Sequence, residues 1–124
     1  MHDDRLSLTQ IGILTGYALG MTGGQLLFKM AAVRYAAAAG SAGERFFGLL
    51  TNAYFLSAIV LYAAFAILWV WILSFTPLAR AYPFVALAFA ITPLAGGMLF
   101  GETIPPRLLF GIAFILVGLF LVTG

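Results

Sequence analysis

The stretch AYFLSAIVLYAAFAILWVWILSF, residues 53–75, carries no charged side chain. About 20 apolar residues in helical form cross a hydrocarbon core of roughly 30 Å. A strand of a membrane barrel is shorter and alternates apolar with polar residues. This run is continuous, so it reads as a spanning helix, whose backbone polar groups are satisfied internally. Trp69 and Trp71 fall near its end, where tryptophan favours the membrane–water interface.

Outward from this run, three further stretches reach spanning length, at about 8–31, 77–100 and 104–123. The whole chain has 124 residues, 64% hydrophobic and 8% charged, with a mean hydropathy of +1.11. A soluble domain of this size leaves much of its surface in water, so lipid is the expected solvent. The expected fold is an all-α membrane protein: one domain over residues 1–124, a four-helix transmembrane bundle with short connections and one longer first loop. The opening Met-His-Asp-Asp-Arg lacks the basic start of a secretory signal, so the first stretch reads as a retained helix.

The first connection, Ala32 to Asn52, holds an alanine-rich tract and then Ser41-Ala42-Gly43-Glu44. Serine followed three residues later by glutamate is a capping-box pattern. Phe46, Phe47, Leu49 and Leu50 follow, with Arg45 before them. This predicts a short interfacial helix or an early turn of the second span. The next connection is Ser74-Phe75-Thr76-Pro77, where Pro77 disfavours helical geometry in the residue before it. The last, Gly101 to Pro106, ends in two prolines, which a first helical turn tolerates.

This order puts Arg5 and Arg80 on one side, and Lys29, Arg34, Arg45 and Arg107 on the other. Lysine and arginine favour the cytoplasmic side. Both termini are therefore expected outside the cytoplasm, with insertion in both orientations left open.

Several function classes are excluded. There is no cysteine, and the one histidine, His2, lies in the N-terminal tail, so no metal site is expected. Six lysines and arginines are too few for a nucleic-acid footprint. No Ser-His-Asp set or phosphate-binding glycine loop occurs, so neither an enzyme nor a cofactor is expected. The acidic residues are Asp3, Asp4, Glu44 and Glu102, all in the tail or the connections. Proton relays through membranes use acids or histidines at depth, so a carboxylate-based proton antiporter is not expected.

The candidate functional residues lie on helices one, three and four. Gly12, Gly16, Gly20 and Gly24 recur every four residues, close to one helix face. Such small residues let another backbone approach, or leave room for a substrate. Gln25 and Lys29 share a face. Lys29 either snorkels to the headgroups or meets an anionic group inside. Arg80 is either an interfacial arginine or a clamp that forks onto phosphate. Tyr82 offers a hydroxyl beside Pro83; Pro83 and Pro93 each remove an intrahelical bond and bend a helix. Gly111 and Gly118 on helix four read as a packing seam with a neighbouring subunit.

The segments GQLLFKMA, PLARAYPFVALAFAITPLAGGMLFGE and GIAFILVGLFLV resemble the small multidrug resistance type of four-helix protein. That type belongs to the EamA-like drug/metabolite transporter superfamily, and the resemblance covers nearly the whole chain. Its proton-coupled exporters carry a glutamate where Met21 stands and a tryptophan where Val85 stands, so the resemblance argues against cationic drug export. Gly24-Gln25, Ala81-Tyr82-Pro83 and the longer first connection are more similar to the subunits that flip aminoarabinose-phosphoundecaprenol. Arg80 departs from them, since an aliphatic residue is usual there.

The resemblance implies a transporter that flips an anionic polyprenyl-phosphate-linked sugar, or a similar lipid-linked substrate, across the bacterial inner membrane, with periplasmic termini. Gln25, Lys29, Arg80 and Tyr82 are the expected headgroup contacts. The partners it implies are membrane lipids and a second copy or a related four-helix subunit, forming a dimer. The alternatives are an exporter of a small soluble metabolite or drug, and a non-transporting accessory subunit of a membrane complex.

Overall fold

A computed structural model describes residues 6–123. His2, Asp3, Asp4 and Arg5 lie outside the described residues. Helix α1 spans Leu8–Ala37. Its N-cap is Ser7, in a reciprocal capping box: Gln10 N donates to Ser7 Oγ at 3.1 Å and Ser7 N to Gln10 Oε1 at 2.8 Å. The helix runs past its expected end near residue 31, because alanine, the strongest helix former, dominates the residues that follow.

What reads as a long first loop is therefore mostly helix. Helix α2 spans Ala42–Leu50 and is capped by Ser41, whose Oγ accepts from Glu44 N at 3.2 Å. Helix α3 spans Ala53–Leu73, two residues shorter than expected. Asn52 caps it, its Oδ1 accepting from Tyr54 N and Phe55 N.

The third span changes form along its length. Helix α4 covers Leu78–Ala81, a 3₁₀ turn covers Tyr82–Phe84, and helix α5 covers Val85–Phe100. Pro83 has no N–H with which to continue an α-helical ladder, and the tighter turn sits at that residue. Pro93 lies inside α5 without interrupting it. Helix α5 stops at Gly101, which takes the left-handed conformation with φ 67°, a common helix C-terminus for glycine. Helix α6 spans Pro106–Thr123. It starts at Pro106 rather than at residue 104, with proline in the position a helix start favours.

Among the described residues, three helices are long and apolar enough to cross a membrane: Leu8–Ala37, Ala53–Leu73 and Leu78–Phe100. Pro106–Val122 is apolar but shorter. Helix α1 is central, with α3 and α5 packed against it and α6 packed on α5.

The buried core lies at one end. Leu14, Ile72, Ala81 and Phe84 form it, with Tyr17 and Trp69 packed around them. Trp69 stacks on Tyr17 at 5.0 Å between ring centroids, so it serves this core, while Trp71 stays exposed. Gln10 Nε2 ties the start of α1 to the α3–α4 turn, donating to Phe75 O at 3.2 Å and Thr76 Oγ1 at 3.1 Å. Among the residues of α3, Ala58 and Ile72 are the buried ones. Its remaining apolar surface suits lipid rather than water.

Candidate functional site: a groove between α1 and α5

Away from the core end, α1 and α5 separate into a groove. Two adjoining cavities, of about 300 and 270 Å³, share Gln25, Thr92 and Pro93. The outer one reaches Lys29, Glu102 and Thr103, and the inner one is lined by Met21, Val85, Ala88 and Phe89. The groove is thus charged at its mouth and apolar toward mid-span.

Helix α1 is 30 residues long, or about 45 Å at 1.5 Å per residue. That exceeds the roughly 30 Å hydrocarbon thickness, so the turns from Lys29 onward extend toward the headgroups. Lys29 Nζ lies 4.0 Å from Glu102 Oε1, and both side chains are about half exposed. Glu102 follows Gly101 directly, where the left-handed glycine turns the chain out of α5. Gly96 leaves space for this carboxylate, since a Cβ there would come within 3.3 Å of Glu102 Oε1.

Deeper in, Gln25 Nε2 donates to Tyr62 Oη at 2.7 Å, and Tyr62 Oη donates to Met21 O at 3.4 Å. Gln25 also lines both cavities of the groove. Beneath it the hydroxyls of Thr22 and Thr92 lie 3.1 Å apart, joining α1 to α5. Hydroxyl pairs of this kind hold membrane helices together.

The structure brings Gln25 and Lys29 together and places Arg80 and Tyr82 elsewhere. Arg80 Nη1 donates to Val122 O at 3.1 Å, at the core end. Tyr82 is exposed there and meets Trp69 edge-on at 6.5 Å. Arg80 and Glu102 stand at opposite ends of the third span, about 30 Å apart at helical rise.

The glycines also divide. Gly20 and Gly24 sit under the rings of Phe65 and Tyr62, whereas Gly12, Gly16, Gly111 and Gly118 have nothing within 4 Å of an added Cβ. Sequence reasoning did not single out Thr22, Thr92, Tyr62 or Gly96. Hydroxyls inside apolar helices were the available signal for the two threonines.

Two curated proteins are similar to this chain, one from Salmonella enteritidis PT4 (strain P125109) and one from Salmonella gallinarum (strain 287/91 / NCTC 13346). Each is described as "Probable 4-amino-4-deoxy-L-arabinose-phosphoundecaprenol flippase subunit ArnE". Each is 36% identical over 62 residues, covering 50% of this chain and 56% of the relative. The chain thus spans just over half the length of the curated relatives it matches. No family model matches the chain, and no solved structure matches it. With its apolar helices, the similarity identifies a multi-pass membrane protein resembling a small flippase subunit.

Proposed function

We propose that this chain is a subunit of a membrane transporter that flips an anionic lipid-linked sugar of the polyprenyl-phosphate class. One observation carries the reading: the α1–α5 groove has a cation at its mouth and an apolar inner half. An amphiphile with a phosphate head and a hydrocarbon tail matches that polarity. The Lys29 ammonium takes the phosphate by charge, and the Gln25 carbonyl accepts from a sugar hydroxyl. Met21, Val85 and Phe89 face the tail. Substrate phosphate displaces Glu102 from Lys29, so the ion pair holds the mouth between turnovers.

In this reading α6 completes the bundle as a fourth crossing. Its apolar segment Pro106–Val122 extends about 25 Å, a mismatch that local thinning of the bilayer accommodates. Arg80 and Tyr82 reach the headgroup only through a second subunit. A partner inserted in the opposite sense would bring its own core end to the level of Lys29, as in transporters built from inverted repeats. The partner is a second copy or a related four-helix subunit, in the bacterial inner membrane, with the termini of this chain periplasmic. Movement follows the substrate gradient, since the groove's carboxylate, Glu102, stands at its mouth and not at depth.

The test is translocation in liposomes that contain a polyprenyl-phosphate amino sugar, followed with an amine reagent that does not cross the bilayer. Protein-dependent movement, lost in Lys29→Ala, is the expected result. No movement with either protein, alone or with its partner subunit, overturns the reading. Movement unchanged in a Lys29→Ala, Arg80→Ala double variant removes the headgroup role of those residues.

A further inference from the structure

A second polar cavity lies outside the groove, enclosed by the end of α1, by α2 and by the start of α3. Its volume is about 220 Å³, and Arg34, Tyr35, Glu44, Arg45, Leu49 and Asn52 are among its lining residues. We propose that this cavity binds the headgroup of an anionic membrane phospholipid through its phosphodiester, as a site separate from the transported substrate.

Helix α2 fixes the depth of the cavity. The α2 residues that line it, Glu44, Arg45, Gly48 and Leu49, occupy one helical face. The other face presents Phe46 and Phe47, 57% and 67% exposed, together with Leu50. A short helix with one apolar exposed face and one polar face lies in the membrane interface, its apolar side in the acyl region. The cavity behind it therefore stands at headgroup level, where phospholipid phosphates are concentrated. The part of α1 that lines it belongs to the last turns, beyond the hydrocarbon thickness.

The donors in the cavity are only partly used. Arg45 Nη2 donates to Tyr35 O at 3.2 Å, and its guanidinium lies 4.7 Å from the Tyr35 ring centre. Arg45 Nε, by contrast, is buried and has no hydrogen-bond partner. An unpaired charged donor out of water is costly, and a ligand oxygen is the remedy this cavity has room for. The Arg34 guanidinium lies over the Tyr54 ring at 5.4 Å, which orients it through its face and leaves its N–H edge available. Two guanidiniums held by aromatic rings form a rigid fork for phosphate oxygens.

Glu44 sets the net charge of the site. Its carboxylate lies against Gly40 at the edge of the cavity. Two arginines and one glutamate leave a net charge of plus one, which neutralises the phosphodiester of an anionic lipid, whereas the choline cation of a zwitterionic lipid would meet a site that is already positive.

The proposal is tested on the full chain in mild detergent, by native mass spectrometry during titration with phosphatidylglycerol or phosphatidylcholine. Inorganic phosphate is the competitor. Phosphatidylglycerol should bind at least about tenfold more tightly than phosphatidylcholine, with binding weakened about tenfold in Arg34→Gln, the scale of one charge-assisted bond. Arg34→Gln leaves the Arg45–Tyr35 contact in place, so its fold, checked by helical circular dichroism, should persist. Arg45→Lys keeps the charge but removes Nε and should also weaken binding. Equal binding of the two lipids overturns the proposal, as does binding unchanged in both variants. Displacement by millimolar inorganic phosphate would assign the site to soluble phosphate and overturn the lipid.

Discussion

Lys29 and Glu102 face each other across the mouth of the α1–α5 groove, 4.0 Å apart. They come from distant parts of the chain: one from the helix that organises the bundle, the other from the turn that ends α5. In the proposed function, Glu102 occupies the position in which a substrate phosphate would meet the ammonium. The pair is about half exposed, and pairs of that kind stabilise a fold by only about 0–1 kcal/mol. It therefore contributes little to stability, and under the proposed function its role is control of access to the groove.

Glu102→Gln is expected to free Lys29 for the substrate. Removing a competitor worth up to about 1 kcal/mol raises affinity for a polyprenyl-phosphate sugar about two- to fivefold. Thermal stability should change by less than about 1 kcal/mol. Lys29→Ala should lower the same affinity about tenfold or more. Lipid titration followed by native mass spectrometry reads both effects. Weaker binding in Glu102→Gln would instead mean that the carboxylate contacts the substrate.

Tyr62→Phe removes the hydroxyl that accepts from Gln25 Nε2 at 2.7 Å. Hydrogen bonds between membrane helices average about 0.6 kcal/mol in double-mutant cycles, so the stability loss should be of that order. Gln25 then loses its fixed orientation, and substrate affinity should fall about threefold. The decisive comparison is Gln25→Leu in both backgrounds. If Tyr62 acts through Gln25, the second substitution adds almost nothing to the first. Full additivity would separate the two residues.

Much of the fold is legible in the sequence because lipid imposes a simple length rule. The run at residues 53–75 is recovered as Ala53–Leu73, and Ser41 caps α2 as its spacing to Glu44 suggests. The extension of α1 to Ala37 is a matter of alanine propensity, which a hydropathy reading does not weigh. Half of the candidate site was also legible, since Gln25 and Lys29 share a helical face. Grouping Arg80 with Lys29 rests on charge alone, whereas alternating spans place them at opposite ends of the bundle. The Lys29–Glu102 approach and the Gln25–Tyr62 bond depend on how helices rotate against one another, and no local pattern encodes that.

The glycine ladder should split into two behaviours. Gly20→Val pushes into the Phe65 ring, and overpacking of this kind costs about 1–3 kcal/mol. Gly12→Val and Gly16→Val meet open space and should leave the stability of a single subunit within about 0.5 kcal/mol. If the open glycines form the seam with a second subunit, the same two variants should reduce cross-linked dimer in membranes several-fold. Unchanged cross-linking would place the seam elsewhere, with Gly111 and Gly118 the next positions to vary.

Thr22→Val probes the hydroxyl contact that joins α1 to α5 beneath the groove. Valine keeps the shape of threonine, so packing is preserved and only the hydroxyl is lost. Thr22 Oγ1 also lies 3.3 Å from Ala18 O, so the wild-type hydroxyl bridges its own helix and Thr92. The expected cost is about 0.6 kcal/mol, with about 1.7 as the upper end for such bonds. Thr92→Val should cost a similar amount, and the double variant little more than either alone, because both remove the same contact. Unfolding in mixed micelles, followed by circular dichroism, measures all three. A double variant equal to the sum of the singles would show that the two hydroxyls act independently, and that α1 and α5 are held by apolar packing alone.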